Sequence, residues 1–239
     1  MSHVALVTGG SAGLGRALVA GLTERDWTVI TDARDVDRLH TLRRLPRADL
    51  VTTVPGDITD AGHRAELEAA VGAAGRLDLL VHNASALGPA TGQTRHRLLA
   101  DVTIDDLSQL WRTNVGAPLV LTTLLLPHLS AARGVLLSIS SDAAVEHYPG
   151  WGLYSASKAA LDHLTLTFGA ENPEIAAYAV DPGDMRTEMH QAWFPGEDIS
   201  DRPLPETVVP HLIGLLEHRP PSGRYRAAEL PTAPTRDVA

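Results

Sequence analysis

Apolar residues in this chain come in short continuous runs alternating with stretches of helical periodicity. His3 to Thr8 (HVALVT) is almost unbroken in apolar character and ends in glycines, as a strand buried on both faces does. Leu14, Ala17, Leu18 and Leu22 then recur at helical spacing. Thr28 to Thr31 predicts a second strand, Val36 to Leu45 a charged helix, Leu50 to Val54 a strand and Asp60 to Ala74 a helix. Leu77 to His82 is another strand of the buried type, followed by a loop and two apolar helical stretches between Ile104 and Leu129. The pattern continues with a strand at Val135 to Ile139, a helix at Trp151 to Phe168 and a strand at Ile175 to Val180. Glu206 to Leu216 predicts a helix and Gly223 to Ala227 a last strand. Strands alternating with helices of these lengths predict βαβ units, and so an α/β fold: a single-domain, doubly wound parallel sheet with helices on both faces.

The alternation stops between Asp184 and Pro205, where Met185, Met189, Trp193 and Phe194 mix with acids and a Pro-Gly pair. A stretch this long without regular pattern is usually functional, and its aromatics predict a lid over residues 184–205. Residues 1–229 then form the domain, and the Pro-rich end from Leu230 to Ala239 is expected to be a loose tail. At 239 residues, with 44% hydrophobic and 21% charged side chains, the chain suits one globular domain. A formal charge of −9 argues against nucleic acid or an acidic membrane as partner. The absence of cysteine excludes disulfides and thiolate metal sites, and no metal site is expected. The start of the chain lacks a basic segment and a cleavage pattern. Val115 to Leu129, the longest apolar stretch, holds two prolines and a histidine and is too short for a membrane span. The expectation is a soluble, cytoplasmic protein.

Two segments carry candidate chemistry. Lys158 is the single lysine beside nineteen arginines, and Tyr154 stands four positions before it, on the same face of a predicted helix. An ammonium near a phenol favours the phenolate and lowers its pKa from about 10. A Tyr so tuned can pass a proton in carbonyl–alcohol interconversion. The plain alternative is a packed Tyr and a solvated Lys. Near the N-terminus, Thr8-Gly9-Gly10-Ser11-Ala12-Gly13-Leu14-Gly15 joins a strand to a helix. Glycines there permit a tight turn and let a pyrophosphate approach the positive helix end, although a simple tight turn would look similar.

Taken together, Thr-Gly-x-x-x-Gly-x-Gly and Tyr-x-x-x-Lys resemble the short-chain dehydrogenase/reductase family, from about Val4 to Thr187 and more loosely to Ala227. The resemblance implies a Rossmann-like fold and an NAD(P)-dependent oxidoreductase acting on CH–OH and C=O groups. It implies cofactor contacts by Thr8, Gly9, Ser11, Gly13, Leu14 and Gly15. Asp57-Ile58 matches the family's adenine-contacting segment, Asn83-Ala84 the segment after the fourth strand, and Pro182-Gly183 with Thr187 the part that meets the nicotinamide. Asn114, Ser141, Tyr154 and Lys158 match the catalytic set. In that scheme Tyr154 donates the proton and Ser141, preferred over Ser140 by its spacing, holds the carbonyl oxygen. Lys158 holds the ribose and lowers the Tyr154 pKa, while Asn114 anchors a water leading to Lys158. His82 and Ser85 depart from the family's Asn-Asn-Ala-Gly.

At the end of the second strand, Ala33 takes the usual acid position and Arg34 follows, which favours NADP(H); Asp32, just before, keeps NAD(H) open. Tyr148, Trp151, Trp193 and Phe194 suggest an aromatic cleft for a small planar or hydrophobic carbonyl, or rings that only close the lid's own core. Tyr148 to Lys158 and Phe168 to Gln191 are most similar to the sepiapterin reductase and benzil reductase branch. Alternatives are the same chemistry run as an alcohol dehydrogenase, and a nucleotide-sensing regulator that keeps the fold without catalysis. The family also implies a homotetramer or homodimer built on its two long helices.

Overall fold

The protein, as a computed structural model describing residues 2–88 and 98–233, follows the predicted alternation. Its strands are β1 (Val4–Val7), β2 (Thr28–Ala33), β3 (Val51–Pro55), β4 (Leu79–His82), β5 (Val135–Ile139), β6 (Ala176–Asp181) and β7 (Gly223–Arg226). Its helices are α1 (Gly13–Thr23), α2 (Val36–His40), α3 (Ala61–Ala74), α4 (Ile104–Trp111), α5 (Ala117–Ala131), α6 (Gly152–Glu171), α7 (Glu188–Trp193) and α8 (Val209–His218). Among the described residues the seven strands form one parallel sheet of order β3-β2-β1-β4-β5-β6-β7.

Every residue of β1, β4 and β5 is buried because helices cover both faces of the sheet. On one face Leu14, Leu18 and Leu22 of α1 pack with Leu212 and Leu215 of α8; on the other, Leu67 and Val71 of α3 meet Leu121, Leu125 and Leu129 of α5. Each fully buried leucine of this kind contributes about 1.5–3 kcal/mol. The strand order reverses between β1 and β4, and a doubly wound sheet opens a crevice beyond its carboxyl ends at such a point. Thr8 and Asn83 stitch that point together. The Thr8 hydroxyl accepts from the Asn83 and Ala84 N–H groups (3.0 and 3.1 Å), and Asn83 Nδ2 donates back to the carbonyls of Thr8 and Gly9 (2.9 and 3.1 Å).

Four local expectations change. The charged helix is only α2 followed by a 3-10 turn at Thr41–Arg44, because Leu45 precedes Pro46 and takes an extended conformation. The two apolar stretches are one helical run, residues 104–131, joined by a π-helical turn at Arg112–Gly116. The run is 28 residues long and an 18-residue window of it reaches a mean hydropathy of 1.2, so by length and composition alone it is enough to cross a membrane, which Val115 to Leu129 by itself is not. Pro118 does not break the run; it follows directly on the π-helical turn, where the Ala117 N–H reaches back to the Arg112 carbonyl and the hydrogen-bond ladder is already shifted. The inner face of the run is core, with Leu121, Leu125 and Leu129 fully buried. The third change is α7, a short helix inside the lid segment, N-capped by the Thr187 hydroxyl, which accepts from the His190 N–H at 3.1 Å. Lastly, the tail does not begin loosely. Leu230 and Ala233 are buried in the core and the Ala233 N–H donates to the Pro210 carbonyl at 2.9 Å. Residues from 234 onward, and part of the loop after β4, lie outside the described residues.

Candidate active site

The carboxyl ends of the strands open onto a cleft of about 1000 Å³. Its floor is the turn between β1 and α1. Ala12, the N-cap of α1, makes no side-chain cap, and the first turn holds no acidic residue. The helix end is therefore left positive, ready for an anion such as a pyrophosphate. Gly9 has φ of +69°, and a Cβ there would stand 2.9 Å from the Ala84 Cα, so the turn closes only with glycine. Ser11, Gly13 and Leu14 line the cleft above it, with Asn83 and Ala84 on one wall and Pro182, Gly183 and Thr187 on the other. Thr8 and Gly15 brace the turn from behind instead of lining the cleft. The residues present fit a dinucleotide.

Asp32, the residue that kept NAD(H) open, is committed elsewhere. Its Oδ1 accepts from the Gly9 N–H at 2.8 Å and its Oδ2 pairs with His63 Nε2 at 2.9 Å, both side chains being buried. The hydrogen bond to Asp32 raises the His63 pKa above its usual value. His63 escaped the sequence reading because nothing in a lone histidine near the start of α3 signals a partner 31 residues away. Nearer the mouth, Arg34 is exposed and 4.0 Å from Asp57, whose Oδ1 accepts from the Thr59 N–H and hydroxyl (2.9 and 2.8 Å); Ile58 is buried beside it. Ala33 puts no acid at the strand end, and Arg16 and Arg38 also line this part of the cleft.

At the other end, α6 brings Tyr154 and Lys158 to the cleft on one face. Successive residues of an extended chain point to opposite sides, and this separates the two candidate serines. The Ser141 side chain lies on the side of the Tyr154 phenol and acts on it, whereas Ser140 Oγ turns inward and donates to Asp162 Oδ2 at 2.7 Å. Ser141 Oγ also accepts from the Ala143 N–H at 3.2 Å and donates to Asp142 Oδ1 at 3.0 Å, which fixes its rotamer.

The expected depression of the Tyr154 pKa is not what the fold alone produces. Burial pushes the phenol above its ordinary value, and the neighbouring Ser141 side chain only partly opposes it. Lys158 Nζ lies 5.7 Å from the phenol ring centroid and donates to the Ile139 carbonyl at 2.7 Å; burial brings its own pKa down to about 8. Asn114 sits in the π-helical turn with both ends of its amide used. Nδ2 donates to the Ala86 carbonyl (2.9 Å) and Ser157 Oγ (3.0 Å), and Oδ1 accepts from the Ala86 N–H (2.8 Å) and Ser85 Oγ (3.3 Å). Its side chain therefore ties the loop after β4 to α6 and is not directed at Lys158, and Ser85, the departure from the family's glycine, is part of that tie. His82 is a buried strand end, bonded through Nε2 to Thr122 Oγ1 at 2.7 Å, with burial driving its pKa down to about 3.

Residues 184–205 meet α6 through aromatic rings. Trp193 of α7 is buried and stacks on Trp151, with centroids 4.0 Å apart and planes within 8°, and it meets the Tyr154 ring edge-on at 5.8 Å. Phe194 packs against the same cluster, while Tyr148 is exposed and donates its hydroxyl to Asp142 Oδ2 at 2.7 Å. Tyr154 thus sits under a planar apolar roof with Ser141 beside its hydroxyl. Such an arrangement can place a proton donor and a second hydroxyl on one oxygen of a flat substrate.

Comparisons with known proteins agree with this geometry. A sequence model of the family described as short chain dehydrogenase matches residues 3–198. The benzil reductase ((S)-benzoin forming) of Saccharomyces cerevisiae is 32% identical over 223 residues, 89% of this chain and 81% of its own. The sepiapterin reductase of Rattus norvegicus is 30% identical over 210 residues, 79% of this chain and 76% of its own. Among solved structures, a short chain dehydrogenase of Shigella flexneri in complex with NADP superimposes with a TM-score of 0.84 at 25% identity, covering 95% of this chain and 97% of that one.

Proposed function

The chain belongs to the short chain dehydrogenase family, an NAD(P)-dependent oxidoreductase acting on CH–OH and C=O groups, and on that premise we propose that it uses NADPH to reduce a small planar ketone or dicarbonyl. The observation that carries the substrate class is the apolar lining of the cleft beside Tyr154, where Trp151 and Trp193 stack on each other and both border the space next to the proton donor. Similarity to a benzil reductase and a sepiapterin reductase supports the same class.

When bound, the nicotinamide supplies the hydride. The chain's own residues do the rest. Ser141 and Tyr154 hydrogen-bond the carbonyl oxygen, Tyr154 gives up its proton as charge develops there, and Lys158 stabilises the phenolate left behind. Trp193 and Trp151 exclude water from the oxygen while this happens. The test is NADPH oxidation by the purified protein against benzil, other vicinal diketones, a pterin side-chain ketone, simple aldehydes and a 3-ketoacyl thioester. Turnover is expected on the flat dicarbonyls; turnover confined to the aldehydes or the thioester would overturn the substrate class.

NADPH over NADH is supported by the absence of an acid at Ala33, the commitment of Asp32 to Gly9 and His63, and the exposed Arg34. Arg34→Ala removes one charge-assisted contact to a 2′-phosphate, so KM for NADPH should rise about tenfold or more. KM for NADH should barely move. An equal effect on both cofactors would remove Arg34 from the assignment.

A further inference from the structure

Beneath the catalytic groups lies a buried, charge-balanced cluster that the proposed chemistry does not use directly. Asp162 stands one helical turn after Lys158 on α6, on the same face, and is 7% exposed. Its Oδ2 accepts from Ser140 Oγ (2.7 Å) and from Arg224 Nε (3.1 Å). Its Oδ1 is buried with no hydrogen-bond partner among the described residues. Arg224 reaches in from β7, the edge of the sheet. Its Nη2 also donates to the Ser141 carbonyl (2.8 Å) and lies 3.8 Å from Asp181 Oδ2. Asp181 Oδ1 in turn accepts from the Gly183 N–H at 3.0 Å. One guanidinium therefore joins the segment of Ser141, the helix of Tyr154 and Lys158, and the turn at Pro182-Gly183. The fork geometry of arginine makes this possible; an ammonium could not span three such acceptors with the same directionality.

We propose that Asp162, clamped between Ser140 and Arg224, is a positioning residue that supplies the buried counter-charge of Lys158. A lysine buried without a nearby carboxylate tends to lose its proton, and with it the ability to stabilise a phenolate. The charged groups gathered around Tyr154 and Asp181 are Asp162 on α6, Asp142 after β5, and Arg224 and Arg226 on β7. Asp162, one helical turn along the same face, is the charge that opposes the effect of burial on the Lys158 ammonium. Burial pushes the Asp162 carboxyl above its ordinary range, and the hydrogen bonds from Ser140 and Arg224 oppose that shift by favouring the carboxylate. Ser140, the serine that does not face Tyr154, thereby acquires a role. Asp162 was within reach of the sequence, being four residues past the lysine. Arg224 was not, because a charged residue in the run GRYR looks like an edge strand facing solvent.

The inference rests on the proposed role of Lys158, and its test is chosen to be read without turnover. Because Lys158 is the only lysine, isotope-labelled lysine gives a single side-chain NMR signal whose titration reports this residue alone. In Asp162→Asn the Lys158 midpoint should fall by about one pH unit below that of the parent protein. The alkaline limb of the kcat–pH profile should move down by the same amount, since the ammonium is lost earlier as pH rises. Asp162→Glu should restore part of both shifts. Should Asp162→Asn not fold, Ser140→Ala removes one hydrogen bond to the carboxylate, and a smaller shift in the same direction is expected. An unmoved lysine midpoint in the folded variant overturns the proposal. A moved midpoint in a protein that reduces none of the carbonyls would instead leave the counter-charge in place and remove the reductase reading.

Discussion

Tyr154→Phe should cut kcat for carbonyl reduction by about 10²–10⁴-fold, the range over which a positioned general acid acts, with NADPH binding changed by no more than a few-fold. The prediction separates chemistry from structure because the substitution removes only a hydroxyl. The ring of Tyr154 is buried and packs edge-on against Trp193, a contact that Phe keeps. Ser141 Oγ loses the phenol but still bonds Asp142 and the Ala143 N–H, so no buried polar atom is orphaned. Lys158 Nζ keeps its bond to the Ile139 carbonyl. Thermal stability should therefore stay within a few degrees of the parent. Steady-state kinetics with a reducible dicarbonyl, together with NADPH fluorescence titration, read both quantities. Undiminished kcat in the variant would end the assignment of Tyr154 as proton donor. Because burial pushes the phenol up, Tyr154 remains protonated across the neutral range, the state a reductase needs.

The second large effect is expected at Asp32. Asp32→Ala leaves the Gly9 N–H without its acceptor and His63 without its counter-charge, both inside the fold. Breaking one side of a buried, hydrogen-bonded charge pair costs about 3–5 kcal/mol, which for a chain of this size lowers Tm by about 10 °C or more. NADPH affinity should fall as well, because the Gly9 turn that the cofactor's phosphates approach is held open by that hydrogen bond. Asp32→Asn, which keeps an acceptor for Gly9, should lie between. Differential scanning fluorimetry with and without NADPH measures both, and a Tm for Asp32→Ala within two degrees of the parent would be incompatible with this account.

The same pair sets a pH dependence. Asp32 raises the folded-state pKa of His63 above the unfolded value of about 6.5. The group binds its proton more tightly when folded, so its contribution to stability is complete below about pH 6.5 and is lost as pH rises through the folded value. Measured against His63→Gln, the stability advantage of the parent should shrink from acidic toward alkaline pH. An advantage that grows instead would mean that the pair is held with a neutral histidine.

Much of this protein was legible in its sequence, for a common physical reason. Burial on both faces makes the strands of a parallel sheet continuously apolar, so β1, β4 and β5 could be placed to within two residues from composition alone. The pairing of Tyr154 with Lys158 follows from the helical period, which brings the fourth residue onto the same face whatever surrounds it. The glycine turn was legible because Gly9 needs a positive φ that other residues resist. All three are local properties of the chain.

What only the tertiary structure decided depends on residues far apart in sequence. Asp32 could equally have faced a ribose; the parallel register of β1 with β2 and the placement of α3 give it to Gly9 and His63. Asn114 carries an amide able to bond in several directions, and its use in joining Ala86 to Ser157 is set by where the loop after β4 meets α6. The apolar stretches around Pro118 gave no hint that they fuse through a π-helical turn, since a proline within a bulged helix and a proline between helices look alike along the chain. The phenol's pKa depends on how completely Trp193 and its neighbours exclude water from Tyr154, a matter of packing across the fold and not of spacing. Local periodicity specifies which side chains share a face; the dielectric and the partners each one meets come from segments that the chain brings together only when folded.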